Sequence, residues 1–520
     1  MRSSFITYVL LSVSFCAGSW FLYDHVAQRE PHCDIDSKAY LQRGQLFADT
    51  NSFVNSGEAQ PYYTFGYAFI IGILWKIFGK NVGIIILFQL LLSLLSGMIM
   101  VRMTRRLFGR RASVIASILF ACNVGYLVFT QFILTEIVLS FFLLAAFEQV
   151  LLAMTAAKNP ARSFAYAGLL FGLSVIVKPA ALYFVPLLAG VMACLRFVKG
   201  SCDGYWLRLQ EGASFDGASS SVNAPSPKGY GGTGATADRQ DQLLAGARPE
   251  LVEGHERINH TINLSSIILL LTCFAAPIIG YMSYNKVAFN SFHISNLDHV
   301  NIYYWFFPNV LAKAHGTTSD YERAQLLKLS DGHHDAAVVA PLFWQELRSK
   351  PMLFIKVWLT NVTKTLLGLY TTNLKVLVEE DVKGGDISFF KMHGTVFDKA
   401  WQYVSYGATH WWVMAIGLFE AFWHVIRYLF CLAGLWLLYR RRYYNVLVLC
   451  LLYLAYFSLI TGHDGCARFR MMFEFLLIIL AAGGLDYCNS SQATPETEDE
   501  CTTPIDFDLE GAKQPCTKHL

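Results

Sequence analysis

The sequence predicts an all-α membrane protein that crosses the bilayer about ten times. Of its 520 residues, 54% are hydrophobic and only 15% are charged. The hydrophobic residues fall into stretches of about 20, the length that a helix needs to span the hydrocarbon core. Arginine and lysine collect at alternate ends of these stretches, as they do in cytoplasmic loops.

The composition also argues against other classes of protein. The apolar content is outside the range of soluble globular proteins. The net charge of +3 gives no support for nucleic-acid binding. The 12 cysteines are scattered, with no CxxC pair and no zinc-ligand spacing, so most are expected to be small buried hydrophobes.

The first 80 residues predict one spanning helix and an outer loop. Residues 5–25 are apolar, and Phe15-Cys16-Ala17-Gly18 is a poor cleavage site, so a retained helix is favoured over a signal peptide. Residues 26–61 then form an extracytoplasmic loop. Residues 67–79 are too short to span and are expected in the outer interface.

Five spanning helices follow, and a run of arginines fixes their direction. Residues 81–101 lead inward to a cytoplasmic run of Arg102, Arg105, Arg106, Arg110 and Arg111. Residues 112–130 return outward and 133–154 inward. Residues 163–197 have about twice a spanning length, and Lys178-Pro179 interrupts them, which predicts a helical hairpin with its tip outside.

Residues 200–260 differ in composition and predict a disordered cytoplasmic insert. They are rich in glycine, serine, alanine, proline and charge, without an apolar period. Their glycine-rich run lacks the Gly-Lys-Ser/Thr ending and the preceding strand of a phosphate-binding loop. Residues 262–285 span outward again.

The C-terminal part begins with a long outer region, residues 286–410. Within it, residues 351–371 are apolar but carry Lys356 and Lys364. If they crossed the membrane, Arg440-Arg441-Arg442 would lie outside, so an amphipathic helix on the outer leaflet is predicted. The last three spans are 411–438, 443–460 and 469–486. The chain thus divides into residues 1–199, the insert 200–260, residues 261–486 and a cytoplasmic tail, 487–520.

Ionisable side chains near the outer helix ends are the candidates for chemistry, because such positions are costly for charge. They are Asp34, Asp36, Glu136, Lys178, His463, Asp464, Arg468 and Arg470. Asp34 and Asp36 lie in the outer loop at the mouth of the membrane domain, where chemistry would begin, and a solvated loop acid is the alternative for Asp36. Glu136 lies inside the fourth spanning helix, so a structural role requires a buried partner such as Lys178.

Arg468 and Arg470 stand at the outer start of the last helix. Guanidinium groups match phosphate oxygens, although snorkelling to the interface is the alternative. Lys178 likewise either binds a phosphate or extends its ammonium group to the interface. Two residues turn a helix by about 200°, so only one arginine can face a given cavity. We expect Arg468 to do so and Arg470 to pack against a neighbouring acid or to help from below.

The order of several short motifs resembles the C-type membrane glycosyltransferases. The resemblance is to the branch of bacterial aminoarabinose transferases and protein O-mannosyltransferases, the dolichyl-phosphate-mannose-protein mannosyltransferase-like family. Its motifs are Asp36 with Tyr40, Pro61 with Gly66 and Tyr67, Thr135-Glu136, Lys178-Pro179, Tyr284-Asn285 with Phe289, and Ala467-Arg468-Phe469-Arg470. The family's consecutive prolines near Pro61 are absent here, and Met471-Met472 stand where a proline often follows.

This resemblance implies transfer of a sugar from a polyprenyl-phosphate carrier to a lipid, glycan or protein acceptor by direct displacement. It implies a bacterial-type inner membrane with the active site on the extracytoplasmic side. Asp36, or Asp34, would be the base, and Glu136 would support it. Cations would stabilise the leaving phosphate. The substrate-binding residues implied are Tyr40, Tyr67, Lys178, His463, Arg468 and Arg470.

Several alternatives stay open. A transporter or lipid flippase suits a polytopic chain, although hydropathy shows no inverted repeat. A surface-polysaccharide polymerase or ligase shares the donor chemistry. No cofactor is implied, but a divalent metal on His32, Asp34, Asp36 and His463 is compatible with the residues. A disulfide between Cys33 and Cys466 is also compatible with an outer location.

Overall fold

The computed structural model describes residues 2–26, 35–54, 63–155, 159–196, 263–295, 297–379, 392, 394–407 and 410–490. Every regular element within these ranges is a helix, which confirms the predicted class. The predicted insert 200–260 lies outside the described residues, as do Asp34 and the tail beyond Ser490.

The helices of the N-terminal part begin with one long helix and two shorter ones. In chain order they are α1 (Arg2–Val26), α2 (Ile35–Thr50), α3 (Gly66–Phe78), α4 (Val82–Phe108), α5 (Arg110–Ala121), α6 (Val124–Gln131), α7 (Glu136–Thr155), α8 (Pro160–Val177) and α9 (Pro179–Arg196).

The C-terminal part places several short helices between long ones. In chain order they are α10 (Leu264–Phe289), α11 (Leu297–Val300), α12 (Phe307–His315), α13 (Ser319–Leu329), α14 (Ala336–Ser349), α15 (Pro351–Leu367), α16 (Thr371–Val378), α17 (Val396–Ser405), α18 (Trp411–Arg440), α19 (Tyr444–Leu459) and α20 (Glu474–Ser490). A π-helical stretch, Asn301–Phe306, joins α11 to α12.

Seven helices in the described ranges are long and apolar enough to cross a membrane, and two bent pairs raise the number to nine. The seven are α4, α7, α8, α9, α10, α18 and the helix from Tyr444 to His463. They match seven of the predicted spans. The predicted span 112–130 is one bent pair, α5 and α6, with 44° between its halves. The first and last predicted spans are the helices α1 and α20, which are not among the seven.

The centre of the bundle is formed by α20. Every side chain from Met471 to Gly484 is buried. Gly434 of α18 and Gly484 of α20 allow close contact, since a Cβ at Gly434 would lie 2.2 Å from the carbonyl oxygen of Leu480. Small residues at such contacts are typical of helix packing in membranes.

The predicted outer loop 26–61 contains a helix that the sequence analysis did not foresee. In α2 only a few side chains are buried, among them Tyr40. Its partner is α3, which has the 13 residues expected of a segment too short to span. Gly44 of α2 faces Ile71 of α3, because a Cβ on Gly44 would lie 2.5 Å from the Ile71 side chain.

The other bent pair, α15 and α16, has 72° between its helices. Its tip, Gly368–Tyr370, lies beside Glu420, which accepts a hydrogen bond from the backbone N–H of Tyr370 at 2.7 Å. Glu420 is nine residues after the start of α18, which is about 13 Å along the helix. The pair then returns to that start, where Glu379 accepts from the backbone N–H of His410 at 3.2 Å.

The second helix of the pair therefore runs from the tip back to the start of α18, and we call α15–α16 the re-entrant pair. That residues 351–371 do not cross the membrane stays a prediction. The helix α15 has one buried face, with Phe354 and Val357, and one exposed face, with Lys356 and Thr363, so the predicted two-faced helix is present, while its place on the outer leaflet stays a prediction. The turn and α16, which follow it, are buried: Tyr370, Leu374 and Leu377 are each 1% exposed.

Candidate active site

Four charged side chains from distant parts of the chain meet at one place. Arg468 Nη1 donates to Asp36 Oδ2 at 3.0 Å, and Arg468 Nε lies 3.2 Å from Glu136 Oε1. The same Glu136 oxygen accepts a hydrogen bond from Lys178 Nζ at 3.3 Å. All four are predicted site residues, and we call this group the charged cluster.

Asp36 enters the cluster from the first turn of α2. That position favours a carboxylate, because the helix N-terminus carries partial positive charge. The Tyr63 hydroxyl donates to Asp36 Oδ1 at 2.6 Å, so both carboxylate oxygens have partners. The side chain remains 22% exposed, so it is accessible from one side.

The local charges keep Asp36 ionised. Burial by itself would raise the pKa of this carboxyl, but the Arg468 guanidinium and the Tyr63 hydroxyl stabilise the charged form. The Lys178 ammonium acts in the same direction. The pKa of Asp36 consequently lies below its ordinary value.

Glu136 is the buried member of the cluster. It lies in the first turn of α7 and is 4% exposed. Lys178, its predicted partner, stands where α8 ends and Pro179 begins the next turn, and the contact between the two is confirmed. Glu136 Oε1 is shared by two cations, while Glu136 Oε2 has no hydrogen-bond partner among the described residues.

Arg468 is held by a tight helical turn instead of the regular helix predicted from residue 469. Residues Ala467–Met472 are a 3₁₀-helix, and α20 begins at Glu474. The Phe469 ring lies 4.7 Å from Lys178 Nζ and 5.5 Å from the Arg468 guanidinium carbon. The centre of the His463 ring lies 5.2 Å from that of the Phe469 ring, and the two rings are tilted by 51°. Phe469 therefore forms an aromatic face beside both cations.

Arg470 points away from the charged cluster. It is fully buried, and its Nε donates to Glu474 Oε2 at 3.0 Å. The expectation that Arg470 packs against a neighbouring acid is confirmed. Direct substrate binding, the other role predicted for Arg470, receives no support from these contacts.

The two predicted tyrosines form a wall behind Asp36. The Tyr40 ring lies 5.3 Å from that of Tyr63 and 5.2 Å from that of Tyr67. Burial raises the pKa of the Tyr40 phenol well above its ordinary value, so the phenol stays neutral. Tyr67 is fully buried, and its hydroxyl donates to Gln89 Oε1 at 2.7 Å. Tyr67 thus supports the wall.

Gln89 connects this wall to Glu136. Its Nε2 donates to the carbonyl oxygens of Thr130 and Phe132, at 3.0 Å and 2.9 Å. Those residues immediately precede α7, which begins with Glu136. The contact made by Tyr67 therefore helps to position the loop before Glu136.

The remaining predictions for the site are only partly covered by the structure. His32, Cys33 and Asp34 lie outside the described residues, and so the second base, the disulfide and the full metal set remain predictions. Among the described side chains, no group of three metal ligands occurs. His463 Nδ1 contacts the carbonyl oxygen of Ile460 at 2.9 Å.

Sequence reasoning missed Tyr63 and a second group of buried charges below the cluster. Glu420 and Arg427 lie within an apolar stretch and are seven residues apart, so they share one helix face. Ionisable residues in a spanning helix are functional candidates by default. That rule identifies both residues, whereas nothing in the local sequence identifies Tyr63.

Comparison with protein families gives one match. Residues 61–200 match the model of the dolichyl-phosphate-mannose-protein mannosyltransferase family. The resemblance inferred from the motifs is thereby confirmed for this stretch, which holds Tyr67, Glu136 and Lys178. Asp36 and Arg468 lie outside it. Among curated proteins, none matches the chain.

Two solved membrane enzymes are similar to this chain. The archaeal oligosaccharyltransferase AglB from Archaeoglobus fulgidus, solved with an inhibitory peptide and a dolichol-phosphate, has 13% identity and a TM-score of 0.43 over 93% of this chain and 50% of that one. ArnT from Cupriavidus metallidurans bound to undecaprenyl phosphate has 11% identity and a TM-score of 0.37, over 93% and 81%. The present chain thus spans about half the length of the oligosaccharyltransferase.

Proposed function

We propose that this protein is a membrane glycosyltransferase that moves a sugar from a polyprenyl-phosphate carrier to an acceptor on the extracytoplasmic side. The carrying observation is the convergence of Asp36, Glu136, Lys178 and Arg468 in the charged cluster. Sugar transfer of this kind needs a base for the acceptor and positive charge for the leaving phosphate. The family match over residues 61–200 supports the same reaction class.

The reaction is a single displacement. The acceptor oxygen forms a bond to the anomeric carbon while the bond from that carbon to the phosphate oxygen breaks, and the electron pair leaves with the phosphate. The acceptor proton passes to Asp36. A carboxylate of low pKa is sufficient, because the acceptor hydroxyl becomes strongly acidic as its oxygen bonds to carbon. The configuration at the anomeric carbon is therefore inverted.

Arg468 and Lys178 are the proposed phosphate ligands. Their side chains are 19% and 16% exposed, so they are accessible, and a guanidinium can hold two phosphate oxygens at once. The cluster has two carboxylates and two cations and is neutral as it stands. The phosphate therefore competes with Asp36 and Glu136 for Arg468, which leaves Asp36 available to the acceptor.

Replacement of Arg468 tests the phosphate site. The Arg468→Lys protein keeps the positive charge but loses the planar guanidinium, and the Arg468→Ala protein loses both. Affinity for undecaprenyl phosphate should therefore fall from the wild type to Arg468→Lys and further to Arg468→Ala. The loss of a charge-assisted hydrogen bond predicts about a 10- to 100-fold weaker Kd for Arg468→Ala. The measurement is titration of the purified protein in detergent, followed by native mass spectrometry.

The control is Arg323→Lys, which changes a half-buried arginine in the helices between residues 297 and 349. Arg323 Nε donates to the carbonyl oxygen of Tyr304 at 2.9 Å, and its guanidinium lies over the Trp305 ring. The Kd of the Arg323→Lys protein for undecaprenyl phosphate should equal that of the wild type. Wild-type affinity in Arg468→Ala would place the phosphate elsewhere, and absence of binding by the wild type would contradict the proposed donor class.

A further inference from the structure

A second group of charges lies beneath the charged cluster, and the proposed reaction does not use it. Its members are almost completely buried, with exposures between 0% and 6%, and they are Glu420, Arg427, Arg470 and Glu474. We call them the buried quartet. Charges inside a spanning domain are costly to bury, which makes a function more plausible than chance retention.

Arg470 binds the end of α15 at the tip of the re-entrant pair. Its Nη1 donates to the carbonyl oxygens of Thr365, Leu366 and Gly368. These carbonyls lie at the C-terminus of a helix, where intrahelical donors are missing and the dipole favours a cation. The Arg470 guanidinium also lies 4.2 Å from the centre of the Tyr370 ring.

Glu474 fixes the same arginine from the side of α20. Its Oε2 accepts from Arg470 Nε and from the Tyr370 hydroxyl, both at 3.0 Å. Its Oε1 accepts from Asn123 Nδ2 at 2.8 Å and pairs with Arg427. The acid therefore links the tip of the re-entrant pair to α6 and α18.

Glu420 completes the quartet from α18. Its carboxylate accepts from the backbone N–H groups of Tyr370 and Thr371, at 2.7 Å and 2.8 Å, and so caps the start of α16. It also lies 3.8 Å from Arg470 Nη2. The tip is thus bound by an arginine at the end of one helix and by a glutamate at the start of the next.

Arg468 and Arg470 belong to the same short 3₁₀ turn. Two residues in a 3₁₀-helix are about 120° apart around the axis, so the two side chains point in different directions. The Arg470 side chain points to the tip of the re-entrant pair, and the Arg468 side chain points to Asp36 and Glu136. Whatever fixes Arg470 therefore also fixes the backbone from which Arg468 projects.

We propose that Arg470 is a positioning residue, which anchors the turn Ala467–Met472 to the re-entrant tip and thereby aims Arg468 at the donor phosphate. This inference rests on the proposed function, since it assumes that Arg468 binds phosphate. A buried ion pair adds little stability compared with apolar packing of the same size. Holding the turn Ala467–Met472 in one position therefore explains the buried quartet better than a contribution to folding stability does.

A double-mutant cycle on the affinity for undecaprenyl phosphate tests the proposal. Arg470→Lys keeps the buried charge but replaces the five donors of the planar guanidinium by three on one nitrogen, and it should weaken binding about fivefold to tenfold in the wild-type background. In the Arg468→Ala background it should have less than about a twofold effect, because the residue that it positions is gone. Tyr370→Phe, which removes only a hydroxyl, serves as a milder second variant.

Lys375→Gln is the matched control. Lys375 is another buried cation of the same re-entrant pair, but its Nζ donates to the carbonyl oxygens of Tyr403, Val404 and Tyr406, away from Arg468. Any effect of Lys375→Gln should be equal in both backgrounds.

Equal effects of Arg470→Lys in both backgrounds, like those of the control, would overturn the positioning role and leave the proposed function intact. An Arg468→Ala protein with wild-type affinity would instead overturn the proposed phosphate site. If Arg470→Lys does not fold, Tyr370→Phe carries the test: an effect confined to the background that retains Arg468 supports positioning, and equal or absent effects contradict it.

Discussion

Asp36, the proposed base, is a weakly basic carboxylate. Its carboxylate is partly exposed, yet both of its oxygens have partners. Because burial is outweighed by Arg468, Tyr63 and Lys178, the pKa lies below the ordinary value of about 3.9. A group with a depressed pKa stays charged above that value, and it takes up its proton, with loss of its contribution to stability, only as the pH falls below it.

The pH dependence of transfer follows from this state. Asp36 should be ionised at every pH above about 4, so kcat/KM should show no acid limb from this residue between pH 5 and pH 8. The measurement is the initial rate of sugar release from a radiolabelled undecaprenyl-phosphate sugar across that range. A one-proton acid limb centred near pH 6 would contradict the assigned charge state.

Sequence reasoning reached the four members of the charged cluster for a physical reason. Asp36, Glu136, Lys178 and Arg468 are each ionisable groups next to apolar segments, where charge is expensive. Tyr63 could not be found in this way, because a tyrosine near an interface is ordinary. Its role depends on a contact with α2, and α2 itself was not predicted.

The re-entrant pair is the element on which the site is built. Its tip requires Gly368, because a Cβ there would lie 2.7 Å from the carbonyl oxygen of Lys364 and 3.1 Å from the Cβ of Ala467. Ala467 adjoins Arg468, so the tip and the turn that carries Arg468 touch directly. The sequence shows an interrupted apolar segment, but the bend depends on the contact of the tip with Glu420 of α18, and the sequence of the pair itself does not reveal that contact.

Cysteine labelling tests the re-entrant geometry. Lys383, which lies outside the described residues, follows α16 closely, and a cysteine there should react with a membrane-impermeant reagent from the extracytoplasmic side. Cysteines at positions 106 and 441 should not react, because both positions belong to basic helix ends that are predicted to be cytoplasmic. The background is a protein without its native reactive cysteines.

An intracellular location of position 383 would mean that α15 and α16 cross the membrane. The three spans that follow would then be inverted. Labelling of position 463 from the outside, where His463 stands beside Phe469, provides an independent check on the same direction.

The whole bundle was largely predictable because a bilayer forces each spanning backbone into a long apolar helix. In the described ranges nine predicted spans have single-helix counterparts, seven of them long and apolar enough to cross a membrane, and 112–130 is present as a bent pair. The break at Cys122-Asn123 could not be predicted, since it depends on the Asn123 side chain, which caps α6 and also binds Glu474. The polar helix α2 was not predicted, because its sequence lacks the apolar stripe of an amphipathic helix.

The central claim concerns the molecule as a catalyst, and Asp36→Asn tests it most directly. Sugar transfer from radiolabelled undecaprenyl-phosphate donors is measured with purified protein, and membranes of the source cells supply the acceptor. The matched control is Asp49→Asn on the same helix, where an exposed carboxylate pairs with Lys80 at 2.7 Å. Binding of undecaprenyl phosphate is measured in parallel.

We expect Asp36→Asn to lower turnover by about 10²- to 10⁴-fold, because it removes the base without changing the size of the side chain. Its affinity for undecaprenyl phosphate should be retained or increased, since Arg468 loses a competing partner. The Asp49→Asn protein should behave like the wild type. An Asp36→Asn protein that binds the lipid phosphate and keeps more than about a tenth of wild-type turnover would contradict the proposed role of Asp36 as the base.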